Sequence, residues 1–105
     1  MAKRIIKDGR IREIIHNIAE DFRFSNELGD YALIFYKADT DAIIRGSDID
    51  MMIEYLSEGL KELQDTIEYR REFLEQNPQS DEIKLLENLS TIEKEYIELL
   101  EFLRK

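Results

Sequence analysis

Cysteine is absent from this sequence. That excludes a disulfide framework, a zinc-thiolate centre and thiol chemistry, and it fits a reducing compartment. Histidine occurs once, at His16, so no imidazole pair exists to hold a metal. No Ser or Cys nucleophile is set beside it. Glycines number four, and none belongs to a phosphate-cradling loop. Pro78 is the single proline, which leaves the chain almost free of helix breakers. Long apolar runs are also missing. The longest is the six residues from Tyr31 to Tyr36, against about 20 for a membrane-spanning helix. The first residues, Met1-Ala2-Lys3-Arg4-Ile5-Ile6-Lys7-Asp8, are basic but lack the apolar core of a signal peptide. The expectation is a soluble, cytoplasmic protein that does not engage a membrane.

What is present is charge and periodicity. Of 105 residues, 43% are apolar and 37% charged, with a net −9. A chain of this length suits one domain, residues 1–105, and buries roughly two thirds of its unfolded surface. The charge is uneven. Residues 1–23 carry six basic and four acidic side chains, residues 24–46 two and four. Residues 47–105 carry seven basic and sixteen acidic side chains, a net −9 equal to that of the whole protein. A field of this sign repels phosphate backbones and anionic lipid and attracts basic protein surfaces.

Ile11, Ile14, Ile15, Ile18 and Phe22 fall on one face of a helix over residues 10–24, and Asp8-Gly9 is a plausible start signal. Ile5 and Ile6 leave open whether Lys3–Lys7 forms a strand. Ser25–Asp30 reads as a loop. Tyr31–Lys37, apolar on both parities, reads as a strand covered on both faces. Ala38–Asp41 is turn-like, and Ala42–Arg45 returns as a second strand, giving an antiparallel β-hairpin that ends at Gly46. Ser47 then opens a long helix, with Asp50 in capping-box spacing. Its apolar stripe runs through Ile49, Ile53, Leu56, Leu60, Leu63, Ile67 and Leu74, interrupted only by Arg70. Gly59 inside this helix costs about 1 kcal/mol against Ala, so it points to close approach by another element, such as the hairpin or the first helix.

Gln76-Asn77-Pro78-Gln79 breaks the stripe, and Ser80-Asp81-Glu82 starts the last helix. Leu85, Leu89, Ile92, Tyr96, Leu99 and Leu103 make one stripe on it. Ile83, Leu86, Ile97 and Leu100 make a second. The expected object is an α+β, mainly α domain: an N-terminal helix and small β-hairpin in residues 1–46, then an acidic antiparallel helical hairpin in residues 47–105. Its two long helices would span about 43 Å and about 37 Å at 1.5 Å per residue. The surplus of apolar positions, with Tyr55, Tyr69 and Phe73 off the main stripe, makes Leu86, Ile97 and Leu100 candidates for self-association as a homodimer.

No catalytic constellation, cofactor-binding motif or metal-ligand set is evident. Gly46-Ser47-Asp48-Ile49-Asp50 resembles the Asp-x-Asp strand of nucleotidyltransferases. That likeness would make Asp48 and Asp50 Mg²⁺ ligands for phosphoryl transfer. The glycine-serine that family requires at the end of the preceding strand is replaced here by Phe35-Tyr36-Lys37. A helix start, with the two carboxylates beside its positive N-terminal dipole, explains the same residues. Asp39 and Asp41 read as a solvated turn, His16 as an i, i+4 partner of Glu20, and Lys3, Arg4, Lys7, Arg10 and Arg12 as partners for an acidic face. Glu54, Glu58, Glu62, Asp65, Glu68, Glu72 and Glu75 place like charges three and four apart on one helix. Such a row costs a few tenths of a kcal/mol per pair, and a face that tolerates it is suited to a basic partner.

A hairpin, a glycine-serine turn and a long amphipathic helix, in a small, strongly acidic chain without enzyme motifs, are similar to small phage-encoded accessory proteins. They also resemble anti-CRISPR and DNA-mimic inhibitors. The resemblance implies a stoichiometric binder, in the host cytoplasm, that occupies a basic nucleic-acid-binding surface and does not itself touch nucleic acid. The leading expectation is therefore a non-enzymatic, acidic protein-binding module, with Glu54, Glu58, Glu62, Asp65, Glu68 and Glu72 at the contact. The alternatives are a homo-oligomeric assembly protein and a degenerate nucleotidyltransferase-like protein.

Overall fold

Asp8 ends an extended segment and turns the chain into a helix. Its carboxylate accepts from the backbone N–H of Arg10 at 2.8 Å and of Ile11 at 3.4 Å, which satisfies two donors that have no partner within the helix. The computed structural model describes residues 3–79 and 81–105. Within them the order is β1 (Arg4–Ile5), α1 (Gly9–Phe24), α2 (Asp30–Asp41), β2 (Ile43–Ile44), α3 (Gly46–Gln76) and α4 (Glu82–Arg104). The protein is mainly helical with a small antiparallel sheet, as the composition and periodicity imply. Met1, Ala2 and the Ser80 start signal lie outside the described residues.

The segment Tyr31–Lys37 is helix, not strand. It joins Ala38–Asp41, expected as a turn, in the twelve residues of α2. Tyr31, Ile34, Phe35 and Ala38 are spaced i, i+3, i+4, i+7 and face inward, while Leu33, Lys37 and Thr40 face out. A short apolar run fits either element, and here length decides for helix. The β-hairpin is consequently absent. β2 pairs instead with β1, Arg4 opposite Ile44 and Ile5 opposite Ile43, closing a loop around α1 and α2. Ile6 extends the pairing by donating to the Ala42 carbonyl at 2.8 Å.

α1 and α2 run antiparallel, since Phe22 meets Phe35 with ring centroids 5.8 Å apart while His16 meets Asp39 at 3.1 Å. Ser47 does not cap α3. The helix begins at Gly46, Arg45 occupies the cap position, and no side chain closes the end. α3 and α4 form the expected antiparallel pair, and the 31 residues of α3 set the 50 Å long axis of the molecule.

One buried cluster joins the four helices and β2: Ile14, Ile15 and Ala19 of α1, Phe35 of α2, Ile44 of β2, Met52 and Leu56 of α3, and Leu99 and Leu103 of α4. It draws on the first half of α3 and the last half of α4. The far halves run on beyond it as a two-helix arm, where Ile67 is the one buried side chain among the described residues. Arg70, the polar break in the α3 stripe, lies in this arm and reaches Glu82 of α4 at 3.1 Å.

Candidate protein-binding surface

Residues advance about 100° around an α-helix. On α3 that rotation gathers Glu54, Glu58, Glu62, Asp65, Glu68 and Glu72 into a sector about 120° wide, directly opposite Met52, Leu56 and Ile67. All six carboxylates are exposed, while those three apolar residues are buried. None of the six has an ion-pair partner among the described residues. The core thus holds the helix by one side and presents the charged side outward.

Tyr55, Tyr69 and Phe73 follow along one edge of this sector. Tyr69 is 64% exposed and Phe73 38%. Tyr55 turns inward and gathers an aromatic cluster: ring centroids lie 5.2 Å away for Phe22, 5.4 Å for Phe35, 5.4 Å for Tyr31 and 6.4 Å for Tyr96. Between Tyr31, Tyr55 and Tyr96 opens a cleft of about 450 Å³, with Glu58 and Glu62 at its rim. Gly59 forms part of its wall. A Cβ there would stand 2.9 Å from Cε2 of Tyr96, so the close approach expected at this glycine is made by α4, not by the first helix or a hairpin.

The tyrosines of this cleft hold their protons more tightly than a free phenol. Burial raises Tyr96 most, with Tyr55 beside it adding to the effect. Tyr55 is raised by burial; its hydrogen bond with Tyr96 works the other way, and Glu27, Asp21 and Glu62 add weakly to the rise. Tyr31 is raised by desolvation and then by Glu54 and Glu58. In all three the balance disfavours the phenolate, so the cleft stays neutral at its rings and negative at its rim. Sequence reasoning singled out Gly59 and noted Tyr55 off the stripe. It missed the cleft because Tyr31 comes from a segment read as strand.

The remaining expected sites are dispersed. Asp48 and Asp50 sit in the first turns of α3, two positions apart and therefore on different sides of it. Asp48 is half-buried and Asp50 exposed. No strand brings them to one face. Asp48 instead borders a second cleft of about 380 Å³ with Asp41, Lys3, Lys37 and Arg45. Among the described residues no group of three or more His, Asp or Glu side chains is placed to hold a metal ion.

His16 pairs across to Asp39 on α2, not along its own helix to Glu20, which is taken by Arg23 at 2.5 Å. Asp39 and Asp41 lie at the end of α2 rather than in a turn. Of the basic cluster, Arg10 pairs with Glu98 of α4 at 2.9 Å, as an acidic face predicts, whereas the Arg4 guanidinium donates to the Phe102 carbonyl and lies over the Phe102 ring, with no carboxylate partner among the described residues. Of the self-association candidates, Leu100 is 4% exposed and belongs to the protein's own core, Leu86 is half-buried, and Ile97 is 37% exposed. Among the described residues no helix is long and apolar enough to cross a membrane.

No protein-family model matches this chain, and neither does any curated protein or solved structure.

Proposed function

We propose that the protein is a non-enzymatic, stoichiometric binder whose α3 carboxylate sector docks on a basic protein surface, in particular one that otherwise binds nucleic acid. The observation that supports this is the unpaired acidic sector of Glu54, Glu58, Glu62, Asp65, Glu68 and Glu72, edged by the exposed aromatics Tyr69 and Phe73. Aromatic anchors beside a charged field are what protein interfaces use: rings supply affinity at the centre, charge supplies on-rate and partner choice. Of the features that carry the phage-inhibitor likeness, the strand hairpin is absent, while the long helix, small size and acidity remain.

The test is calorimetric titration against a panel of basic nucleic-acid-binding domains, with and without competing DNA. Wild type is expected to bind at least one domain, to be displaced by DNA, and to weaken steeply with salt. A quadruple variant, Glu58→Gln, Glu62→Gln, Asp65→Asn and Glu72→Gln, is expected to lose binding while keeping its far-UV circular dichroism spectrum and melting no lower than wild type. Equal binding by the variant, or no binding by any domain, would overturn the reading.

A second reading, self-association, is favoured by the arm. Tyr69, Phe73, Ile83 and Leu85 are 38–64% exposed there, on a part of the hairpin that the first two helices do not cover. Light scattering at high protein concentration decides it: a stable dimer supports this reading and a strict monomer removes it.

A further inference from the structure

We infer that the cleft between Tyr31, Tyr55 and Tyr96 receives the guanidinium of an arginine side chain presented by the partner. This rests on the reading that α3 meets a basic protein, and it names the group on which that contact is anchored.

Three independent observations converge. The first is shape. The cleft holds about 450 Å³, within the range of roughly 300–1,000 Å³ in which proteins enclose small ligands. A single extended side chain fits such a space, whereas a helix or strand does not.

The second is the wall. Tyr31 and Tyr96 flank Tyr55 at ring-centroid separations of 5.4 and 6.4 Å. A cation gains from an aromatic face within about 6 Å of it, more as water is excluded. Gly59 makes this wall possible, because a side chain at that position would collide with the Tyr96 ring.

The third is the rim. Glu58 and Glu62 border the opening, and Glu54 and Glu58 lie close enough to Tyr31 to hold its proton on. None of these three carboxylates has an ion-pair partner among the described residues. Among the described residues no basic side chain lines the cleft, so an anionic occupant finds no counter-charge there. A planar guanidinium stacks on a ring and offers forked donors to a carboxylate at the same time. A lysine ammonium, compact and strongly hydrated, does neither as well.

The experiment uses the intact protein with N-acetyl-arginine amide, N-acetyl-lysine amide and tetramethylammonium as separate probes. Binding is read from amide and tyrosine-ring nuclear magnetic resonance shifts. Saturable shifts at Gly59 and at the rings of Tyr31, Tyr55 and Tyr96, at lower concentration for the arginine probe than for the other two, support the inference. Tyr31→Leu is expected to weaken the arginine probe about three- to fivefold. The pair Glu58→Gln and Glu62→Gln, at exposed positions that leave the core untouched, weakens it as well, so the test survives if Tyr31→Leu fails to fold. Preference for tetramethylammonium, or no change in either variant, overturns the arginine assignment. Arginine shifts confined to Asp65–Glu72 overturn the cleft but leave the acidic surface standing. An arginine-rich peptide that shifts nothing on α3 overturns both.

Discussion

The Tyr96 ring occupies the space that a side chain at Gly59 would need, with Cε2 only 2.9 Å from where a Cβ would stand. This contact joins the middle of α3 to α4 and sets how closely the two long helices approach. Substituting Gly59→Ala gains about 1 kcal/mol of helix propensity. It also forces the ring outward, and overpacking of this kind typically costs about 1–3 kcal/mol. Tyr96 has Tyr55 at its back, so it cannot slide freely. Gly59→Ala is expected to lower stability by about 1 kcal/mol and the melting temperature by roughly 4–8 °C. In a Tyr96→Leu background the same substitution is expected to stabilise. Thermal melts of the four proteins check the reversal of sign.

Tyr96 also predicts an alkaline response. Its folded-state pKa is raised by burial, whereas the unfolded chain releases that proton near pH 10. Above that pH the unfolded state binds fewer protons than the native state, so stability falls as pH rises; below it the phenol contributes no slope. Urea unfolding between pH 8 and pH 11.5 is expected to show a steeper loss for wild type than for Tyr96→Phe. Absorbance titration is expected to show Tyr96 ionising only together with unfolding. Identical slopes for the two proteins would contradict this.

Arg70 and Glu82 are coupled across the far end of the hairpin. They meet at 3.1 Å, with side chains 38% and 16% exposed, and the second carboxylate oxygen of Glu82 is buried with no partner among the described residues. Removing the arginine alone leaves a half-buried carboxylate without its counter-charge. Solvent reaches the pair, so Arg70→Ala is expected to cost only about 1 kcal/mol. The double variant Arg70→Ala and Glu82→Ala is expected to be more stable than Arg70→Ala alone. Additive losses in chemical denaturation would show that the pair does not interact.

Ala42 ends α2 in the left-handed region, at φ 55°. That conformation costs a residue bearing a Cβ about 1–2 kcal/mol, while glycine gives up about 0.5–1 kcal/mol of chain entropy. Ala42→Gly is therefore expected to raise stability by roughly half a kcal/mol or more. A lower midpoint in urea would refute the balance. Asn26, the other residue with positive φ among the described residues, tolerates it without such help, since a short polar side chain suits that region.

The elements that were legible in the sequence are those with long, one-sided periodicity. α1 announces itself by five apolar residues on one face, and Asp8 caps it where the start signal stands. α3 and α4 carry their stripes for many turns, and Asn77-Pro78 marks the reversal between them. The acidic sector of α3 follows directly from spacing, because residues three and four apart share a face whatever packs behind them. Arg10 does find a carboxylate, Glu98, on the acidic last helix, as its charge suggests.

What could not be read locally is instructive. Tyr31–Lys37 is apolar on both parities, a pattern that a strand between two layers and a helix in a core produce alike. The helix won because Ala38 adds a further inward position one turn on, against α1. Ser47 and Asp50 have capping-box spacing, yet the cap position falls two residues earlier, at Arg45, and no side chain closes the helix, so the motif did not act. His16 had a partner in reach on its own helix, but Asp39 on α2 stands at 3.1 Å and Glu20 is held by Arg23. Leu100 has the spacing of a surplus position, but α1 packs against that half of α4 and buries it.

By itself the order of residues determined which stretches repeat with a helical period, where the negative charge accumulates, and that one helix carries it on the side away from its apolar stripe. These are properties of neighbours three or four positions apart, and the geometry of one helix translates them directly. Only the tertiary structure decided that an ambiguous apolar run is a helix, that the two short strands pair around the first two helices, and that Tyr31, Tyr55 and Tyr96 enclose a cleft. Those outcomes depend on groups far apart in the chain competing for the same space, and no local pattern encodes which of them arrives.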